Sequence, residues 1–255
     1  IIIFEHGFGN GHRAYMTEIE KLCNQGYRVF TYDHTGCMES GGESTNGFAQ
    51  SLVDLNDAIN ALKQNPQTKM ASFSVIGHSW GAYSTLNIVA LHPNINHIVA
   101  ISGYLSVKKI ISQIFSGVLK IYQNKIIDYE IKANKDFFNY DAVTSLKKYD
   151  GKALVIYSDN DNIVKPSFSY DILQKELGKK SNISLLLEHN KFHNPNYTQE
   201  AVTYLNNFSK ELTNAAKAKK LNTHESQKKF MQQWDWNKMT EQDDNLWNKI
   251  YEHLL

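Results

Sequence analysis

The pentapeptide Gly77-His78-Ser79-Trp80-Gly81 carries the strongest chemical signal in this sequence. It follows a short apolar run that predicts a strand, and it precedes a segment with helical spacing. A serine on a tight strand-to-helix turn has a strained backbone, and the flanking glycines, Gly77 and Gly81, let neighbouring chain pass closely. The helix behind it offers free N–H groups and a positive dipole end, which favours developing negative charge. The pattern predicts a nucleophilic Ser79 rather than a serine that only caps a turn.

A serine hydroxyl is a weak nucleophile at neutral pH and needs a histidine base that a carboxylate orients. For this type of turn the expected chain order is serine, then acid, then histidine. Downstream of Ser79, residues 157–164 follow a predicted strand and contain two aspartates, and residues 188–195 follow the next strand and contain two histidines. The required order is therefore present.

Asp161 is the preferred acid, and Asp159 is the alternative. The spacing from Asp161 to Val164 would direct the carboxylate off the end of the strand while the valine anchors the loop in the core. Asp159 suits a turn cap, because aspartate side chains accept hydrogen bonds from backbone N–H groups two residues on.

His193 is the preferred base, and His189 is the alternative. His193 stands further into its loop, and Asn194-Pro195 restrains that loop before the next helix. His189 follows the strand directly and fits a packing histidine equally well.

Acyl transfer also needs two N–H donors for the oxyanion. Trp80, the residue after the nucleophile, is expected to supply one, and Phe8 in the loop Glu5-His6-Gly7-Phe8-Gly9 is expected to supply the other. Gly7 lets the backbone approach the reacting carbonyl. His6 is expected to support the loop through hydrogen bonds rather than to act as a base.

Short apolar runs alternate with amphipathic stretches along most of the chain, which predicts an α/β fold with a mostly parallel central sheet covered by helices. The predicted strands are residues 1–4, 27–32, 73–76, 95–101, 153–157 and 183–187, and the predicted helices are residues 13–24, 48–63, 82–92, 166–177, 197–220 and 241–253.

Residues 103–148 interrupt this alternation, because their apolar residues have helical spacing and no strand accompanies them. We therefore divide the chain into a first core part (1–102), a small helical insertion (103–148) and a second core part (149–255).

Taken together, the loop His6-Gly7-Phe8-Gly9, the segment 32–42, the Ser79 turn, the acid loop and the histidine loop resemble the α/β-hydrolase superfamily. The similarity spans residues 1 to about 200 and is closest to its serine esterase and lysophospholipase-like branch. It implies that residues 103–148 form a lid and that the first strand here corresponds to the third strand of the family. Cys37-Met38-Glu39 and Phe192 depart from the family pattern, since small residues and glycine are commoner there.

We therefore expect a serine esterase that cleaves carboxylic esters of hydrophobic, small-to-medium substrates through an acyl-enzyme intermediate. A serine peptidase or thioesterase on the same fold is the alternative enzyme, because a triad does not select the leaving group. The other alternative is a non-catalytic relative that binds a ligand. No organic cofactor or metal is expected. The spacing from His189 to His193 could hold zinc, but it lacks the glutamate of a zinc protease.

The composition restricts the partners of this 255-residue chain. A net charge of +1 argues against a mainly electrostatic nucleic-acid binder, and no apolar run approaches the roughly 20 residues of a membrane span. His12 stands where a dinucleotide-binding loop needs a small residue. A small-molecule ester is thus the expected partner, and no signal indicates an oligomeric state.

The two cysteines and the lack of a visible export signal favour the cytoplasm. The chain opens within a predicted strand at Ile1, so we expect that sequence upstream is missing or removed. Three tryptophans, Trp234, Trp236 and Trp247, are expected to pack the C-terminal helix against the sheet.

Overall fold

One sheet of six parallel strands organises the structure, a computed structural model that describes residues 1–255. The strands are β1 (Ile2–Glu5), β2 (Val29–Thr31), β3 (Ser74–His78), β4 (His97–Ile101), β5 (Lys152–Ser158) and β6 (Ile183–Glu188). Their spatial order is β2-β1-β3-β4-β5-β6. The predicted parallel α/β fold is confirmed, although β2 is shorter than the run 27–32 suggested.

Helices cover both faces of this sheet, as parallel strands require. They are α1 (Met16–Asn24), α2 (Gln50–Gln64), α3 (Trp80–Ile88), α4 (Val107–Ile114), α5 (Gln123–Asn134), α6 (Ala142–Lys147), α7 (Tyr170–Leu177), α8 (Gln199–Lys217), α9 (His224–Met231), α10 (Trp236–Met239) and α11 (Asp244–Leu254). The sequence predicted no helix at the positions of α9 and α10. None of these helices combines the length and apolar content needed to cross a membrane.

Two hydrophobic clusters hold the layers together, one on each face of the sheet. The larger cluster joins α2, α3 and α7 to the sheet, and the apolar stripe of α2 contributes Leu52, Leu55, Ile59 and Leu62 to it. The smaller cluster joins α1 and α11 to the opposite strand faces. The four inner strands, β1, β3, β4 and β5, are therefore buried on both sides, which explains why their sequences are mostly apolar, whereas the edge strands β2 and β6 are only partly buried.

The insertion between β4 and β5 consists of α4, a 3-10 segment (Gly117–Tyr122), α5 and α6. As predicted, it contains helices and no strand. Its last helix, α6, packs against α3 and α7 and buries Ala142 and Leu146 in the larger cluster. Helix α4 also buries Val107, Ile110 and Ile111 in this cluster, so the exposed large apolar side chains of the insertion lie between the end of α4 and the end of α5.

The C-terminal tryptophans have different roles. Trp247 on α11 is fully buried against the sheet, as expected. Trp234 instead packs against Tyr204, Phe208 and Phe230, which lie on α8 and α9, and Trp236 is about half exposed. The prediction that all three pack α11 against the sheet is therefore wrong for Trp234 and Trp236, because the chain makes a separate helical excursion before α11 returns.

Candidate active site

Ser79 lies at the junction between β3 and α3 with φ +56° and ψ −112°, in a region that L-residues rarely adopt. Its N–H donates to the carbonyl of Ile101 on the neighbouring strand at 2.8 Å, which holds the turn to the sheet. A Cβ on Gly81 would collide with the backbone of Glu5, and one on Gly77 would collide with Gly81. Both flanking positions therefore require glycine.

Three side chains from separate loops form a continuous hydrogen-bonded line. The Ser79 hydroxyl donates to Nε2 of His193 at 2.8 Å, and Nδ1–H of His193 donates to Oδ2 of Asp161 at 2.7 Å. The Asp161 side chain is fully buried, and that of His193 is 12% exposed. The loops after β3, β5 and β6 meet at the carboxyl edge of the sheet, which explains how residues so distant in sequence come into contact.

The other carboxylate oxygen of Asp161 orders its own loop. Oδ1 accepts hydrogen bonds from the N–H groups of Ile163 and Val164 at 2.8 and 3.0 Å, and the Val164 side chain is buried in the core. The valine therefore anchors the loop in the way that the spacing suggested. Oδ2 is therefore the carboxylate oxygen that accepts the hydrogen bond from His193.

The alternative residues, Asp159 and His189, pair with each other instead of reaching the serine. His189 Nδ1 lies 2.7 Å from Asp159 Oδ2, and the His189 side chain is 81% exposed. Of the two aspartate–histidine pairs, the structure brings only Asp161 and His193 to Ser79.

Asp159 also holds the histidine loop, together with its two neighbours. Oδ1 of Asp159, Oγ of Ser158 and Oδ1 of Asn160 accept the N–H groups of residues 190, 191 and 192, respectively, at 2.8–2.9 Å. Phe192 adopts φ +50°, a left-handed conformation that favours glycine. The Asn160 contact stabilises this strained residue directly before His193.

The two expected oxyanion donors lie beside Ser79. The Phe8 N–H donates to no protein acceptor, and Trp80 is the first residue of α3, where no preceding turn supplies a carbonyl. A Cβ on Gly7 would lie 3.4 Å from Cβ of Ser79, so the first loop runs directly past the serine. The rings of Phe8 and Trp80 contact each other at 5.0 Å between centroids.

His6 supports the first loop through both ring nitrogens, as expected. Its Nδ1 bonds to the Gly7 carbonyl and its Nε2 accepts the His34 N–H, each at 2.9 Å. Burial lowers the pKa of His6 to about 4, so the ring is neutral near pH 7. Below it, burial raises the pKa of Glu5 to about 7, while the nearby His34 opposes this rise.

A hydrogen-bonded chain that the sequence analysis missed joins the first loop to the histidine loop. The Gly7 N–H donates to the Tyr15 hydroxyl at 3.0 Å, and this hydroxyl donates to Nδ1 of His78 at 2.8 Å. His78 Nε2–H then donates to the His193 carbonyl at 2.8 Å. Burial lowers the pKa of His78 to about 3, so it is neutral with one N–H. No sequence spacing signals Tyr15.

An apolar pocket of about 590 Å³ opens at Ser79. Eight of its thirteen lining residues are apolar or aromatic, and they come from the first loop, the loop before α2, α3, the insertion and the acid loop: Phe8, Phe48, Trp80, Tyr104, Ile110, Ile114, Ile163 and Val164. Its only charged lining residue is Lys165. The pocket can therefore accept an uncharged apolar group next to the serine.

Gln113 connects the insertion to the acid loop, and sequence analysis missed it as well. Its Nε2 donates to the Ile163 carbonyl at 2.7 Å, and its Oε1 accepts the Lys165 N–H at 2.9 Å. Through this amide, α4 holds the same turn that the Asp161 carboxylate orders from inside. The pocket wall and the acid loop are therefore mechanically joined.

The sequence model of the family described as serine aminopeptidase, S33, matches residues 1–141, which is more than half of the chain. The chain belongs to this family of α/β hydrolases. The resemblance inferred from the motifs is thus confirmed.

Two curated relatives also match this chain. It is 24% identical over 139 residues to the "Putative carbamate hydrolase RutD" of Agrobacterium fabrum, a match covering 53% of this chain and 51% of the relative. It is 33% identical over 81 residues to the "Uncharacterized protein RP471" of Rickettsia prowazekii, covering 32% of this chain and 33% of the relative. The chain thus spans about half the length of the first relative and a third of the second.

Solved structures share the fold of this chain. The esterase Pf2001 of Pyrococcus furiosus aligns over 91% of this chain and 81% of its own with a TM-score of 0.58 at 20% identity. Est1E of Butyrivibrio proteoclasticus, with ferulic acid bound, aligns over 75% and 80% with a TM-score of 0.58 at 16% identity. The Paleococcus ferrophilus monoacylglycerol lipase aligns over 75% and 85% with a TM-score of 0.54 at 18% identity.

The series of hydrogen bonds from Gly7 through Tyr15 to His78 predicts the effect of the change Tyr15→Phe. This change leaves a buried N–H and a buried ring nitrogen without partners, so we expect a loss of about 1–3 kcal/mol in the free energy of unfolding. We also expect kcat on an ester substrate to fall about tenfold with little change in KM, since the two loops lose their common tie.

Denaturant unfolding and steady-state kinetics measure both effects. Tyr251→Phe is the matched control, because the Tyr251 hydroxyl bonds to the Lys21 carbonyl away from the serine. An unchanged kcat in folded Tyr15→Phe protein would rule out a positioning role for this chain.

Proposed function

We propose that this protein is a serine hydrolase that cleaves carboxylic esters with an apolar acyl group. The hydrogen-bonded line from Ser79 through His193 to Asp161 carries this proposal. It joins a nucleophile, a base and an orienting acid in the order and geometry that acyl transfer needs. The free N–H groups beside the serine and the apolar pocket that opens onto it add support.

In the acylation step, Oγ of Ser79 attacks the ester carbonyl carbon while Nε2 of His193 takes the hydroxyl proton. Asp161 keeps Nδ1 protonated and stabilises the imidazolium that forms. The negative charge on the former carbonyl oxygen is stabilised by the N–H groups of Phe8 and Trp80. The tetrahedral intermediate then expels the alcohol, which receives the proton from His193.

In the deacylation step, water attacks the acyl-enzyme carbonyl and His193 takes the proton from that water. The second tetrahedral intermediate releases the carboxylic acid, and the proton returns to Oγ of Ser79. The same two N–H groups serve both intermediates.

The lining of the pocket favours an ester with an uncharged acyl group over an aminoacyl substrate. A free α-ammonium group that is buried against protein needs a carboxylate partner. None of the thirteen lining residues is acidic, and the nearby Glu130 carboxylate already accepts the N–H groups of Phe48 and Ala49. An aminopeptidase reaction is therefore the weaker candidate for this chain.

A substrate panel tests this choice of substrate class. We expect kcat/KM for p-nitrophenyl esters to rise about fourfold per added methylene until the pocket is filled, because each buried CH₂ contributes about 0.8 kcal/mol. Aminoacyl p-nitroanilides and acyl-CoA thioesters run beside the esters are the comparison. Faster turnover of an aminoacyl anilide than of every ester would overturn the assignment.

The nucleophile is tested by Ser79→Ala. We expect this variant to lose fluorophosphonate labelling and about four to six orders of magnitude in ester turnover, because no other group can form the acyl-enzyme. Ser181→Ala, at an exposed position, is the matched control. A ligand-binding protein without catalysis would show no turnover in the unmodified chain either, and this result would contradict the proposal.

The choice between the two aspartates is tested by a pair of isosteric changes. In Asp161→Asn the imidazole is no longer held in the required tautomer, and we expect kcat to fall by about three to four orders of magnitude. In Asp159→Asn the side-chain oxygen can still accept the Asn190 N–H, so we expect less than about a tenfold change. Steady-state kinetics of both variants decide the matter, and a reversed ranking would exclude Asp161 as the orienting acid.

A further inference from the structure

The exposed apolar side chains of this protein are concentrated in one part of the insertion, residues 114–132, which we call the insertion tip. Of sixteen large apolar side chains that are exposed, seven lie in the tip: Ile114, Val118, Leu119, Ile121, Tyr122, Tyr129 and Ile131. Val118 is 87% exposed and Ile121 is 75% exposed. Apolar groups that cluster on a surface in this way mark an interaction site rather than random exposure.

The insertion tip is continuous with the mouth of the substrate pocket. Ile114 and Ser116 line the pocket and directly precede the 3-10 segment of the tip. Phe8 and Ile163, which also line the pocket, are each about half exposed at its opening. An apolar surface therefore extends from outside the protein into the pocket at the serine, and Lys165 is the one charged residue in the pocket lining.

The tip is also positively charged, since it holds three lysines and two acidic residues, Asp128 and Glu130. The insertion carries eight lysines and four acidic residues, whereas the rest of the chain carries nineteen basic and twenty-two acidic residues. Lys109 and Lys147 near the core are paired with carboxylates, but the tip lysines Lys120, Lys125 and Lys132 form no ion pair. These three ammonium groups are available to an anionic partner.

Glu130, one of the acidic residues of the tip, does not offset this charge at the surface. It is buried, and its carboxylate points inward to the N–H groups of Phe48 and Ala49. Helix α5 therefore has two distinct faces. One face is directed to the core and includes Glu130, and the opposite face carries Lys125 and Lys132, which are exposed. The outer face combines apolar groups, unpaired lysines and one exposed carboxylate, that of Asp128.

We propose that the insertion tip docks on the surface of an anionic lipid bilayer. Apolar side chains such as Val118 and Ile121 would enter the boundary between headgroups and acyl chains, and the lysines would contact lipid phosphates and carboxylates. A second copy of the chain fits less well, because an association of tip with tip would bring like charges together. Docking here would place the mouth of the pocket against a bilayer, which is a source of apolar acyl groups. The delivery of substrate in this way rests on the proposed ester hydrolysis, whereas the docking itself does not.

Co-sedimentation with vesicles tests the docking. The full chain carrying Ser79→Ala is mixed with vesicles of phosphatidylcholine alone, or with about one third phosphatidylserine. We expect binding to the anionic vesicles only, weakened at high salt because the lysine contacts are screened. Val118→Asp with Ile121→Asp should abolish it, and Lys120→Glu with Lys125→Glu should weaken it by more than about tenfold, at about fivefold per lysine.

Matched controls separate docking from folding and from catalysis. Met70→Asp places the same charge at a residue that is 89% exposed outside the insertion, and Lys210→Glu reverses an exposed lysine on α8; both should bind like the parent chain. In an otherwise unmodified background, the tip variants should keep their thermal midpoint and their turnover of a soluble short-chain ester. Failure of that turnover in every variant and in the parent would count against the proposed chemistry and not against docking.

Three results would overturn the docking proposal. The first is an absence of binding to anionic vesicles by the folded parent chain. The second is equal binding by the tip variants and the controls. The third is a tip-dependent dimer in light scattering without vesicle binding, since it would assign the surface to a second copy of the chain.

Discussion

The left-handed backbone of Ser79 is the constraint on which the rest of this structure depends. A non-glycine residue in this region costs on the order of 1–3 kcal/mol and persists only where its surroundings hold it. Here the hydrogen bond to Ile101 and the close approach of Gly81 to Glu5 provide that support. The strained turn lifts the hydroxyl off the sheet, and it starts α3 at a residue whose N–H is free.

The loops around this turn are held by polar contacts at several points rather than by one. The histidine loop receives three consecutive hydrogen bonds from side chains of residues 158–160, and its carbonyl at His193 is tied back to the turn by His78. Such a network stiffens a site only when each buried group is satisfied. Neutral His78 meets that condition, because it donates once and accepts once.

Several polar ties join the insertion to the core near the pocket, and two of its residues each make a pair of them. Gln113 bonds to the acid loop, and Glu130 bonds to the loop before α2. Burial raises the pKa of Glu130, whereas the two N–H groups it accepts oppose that rise. The inner side of the insertion is thus fixed to the core by apolar packing and by these polar ties, while its outer side exposes apolar and cationic side chains. This contrast separates the surface that shapes the pocket from the surface that faces outward.

The sequence by itself determined the parallel α/β sheet, the order of serine, acid and histidine along the chain and the residue types of the site, because these depend on local periodicity and on turn chemistry at Ser79. Only the tertiary structure decided between the two aspartate–histidine pairs, since both pairs form and the distance to Ser79 distinguishes them. The positioning contacts of Tyr15 and Gln113 could likewise be recognised only in the tertiary structure. Each bonds to residues 8 to 63 positions away in the chain, and such a contact leaves no periodic trace in sequence.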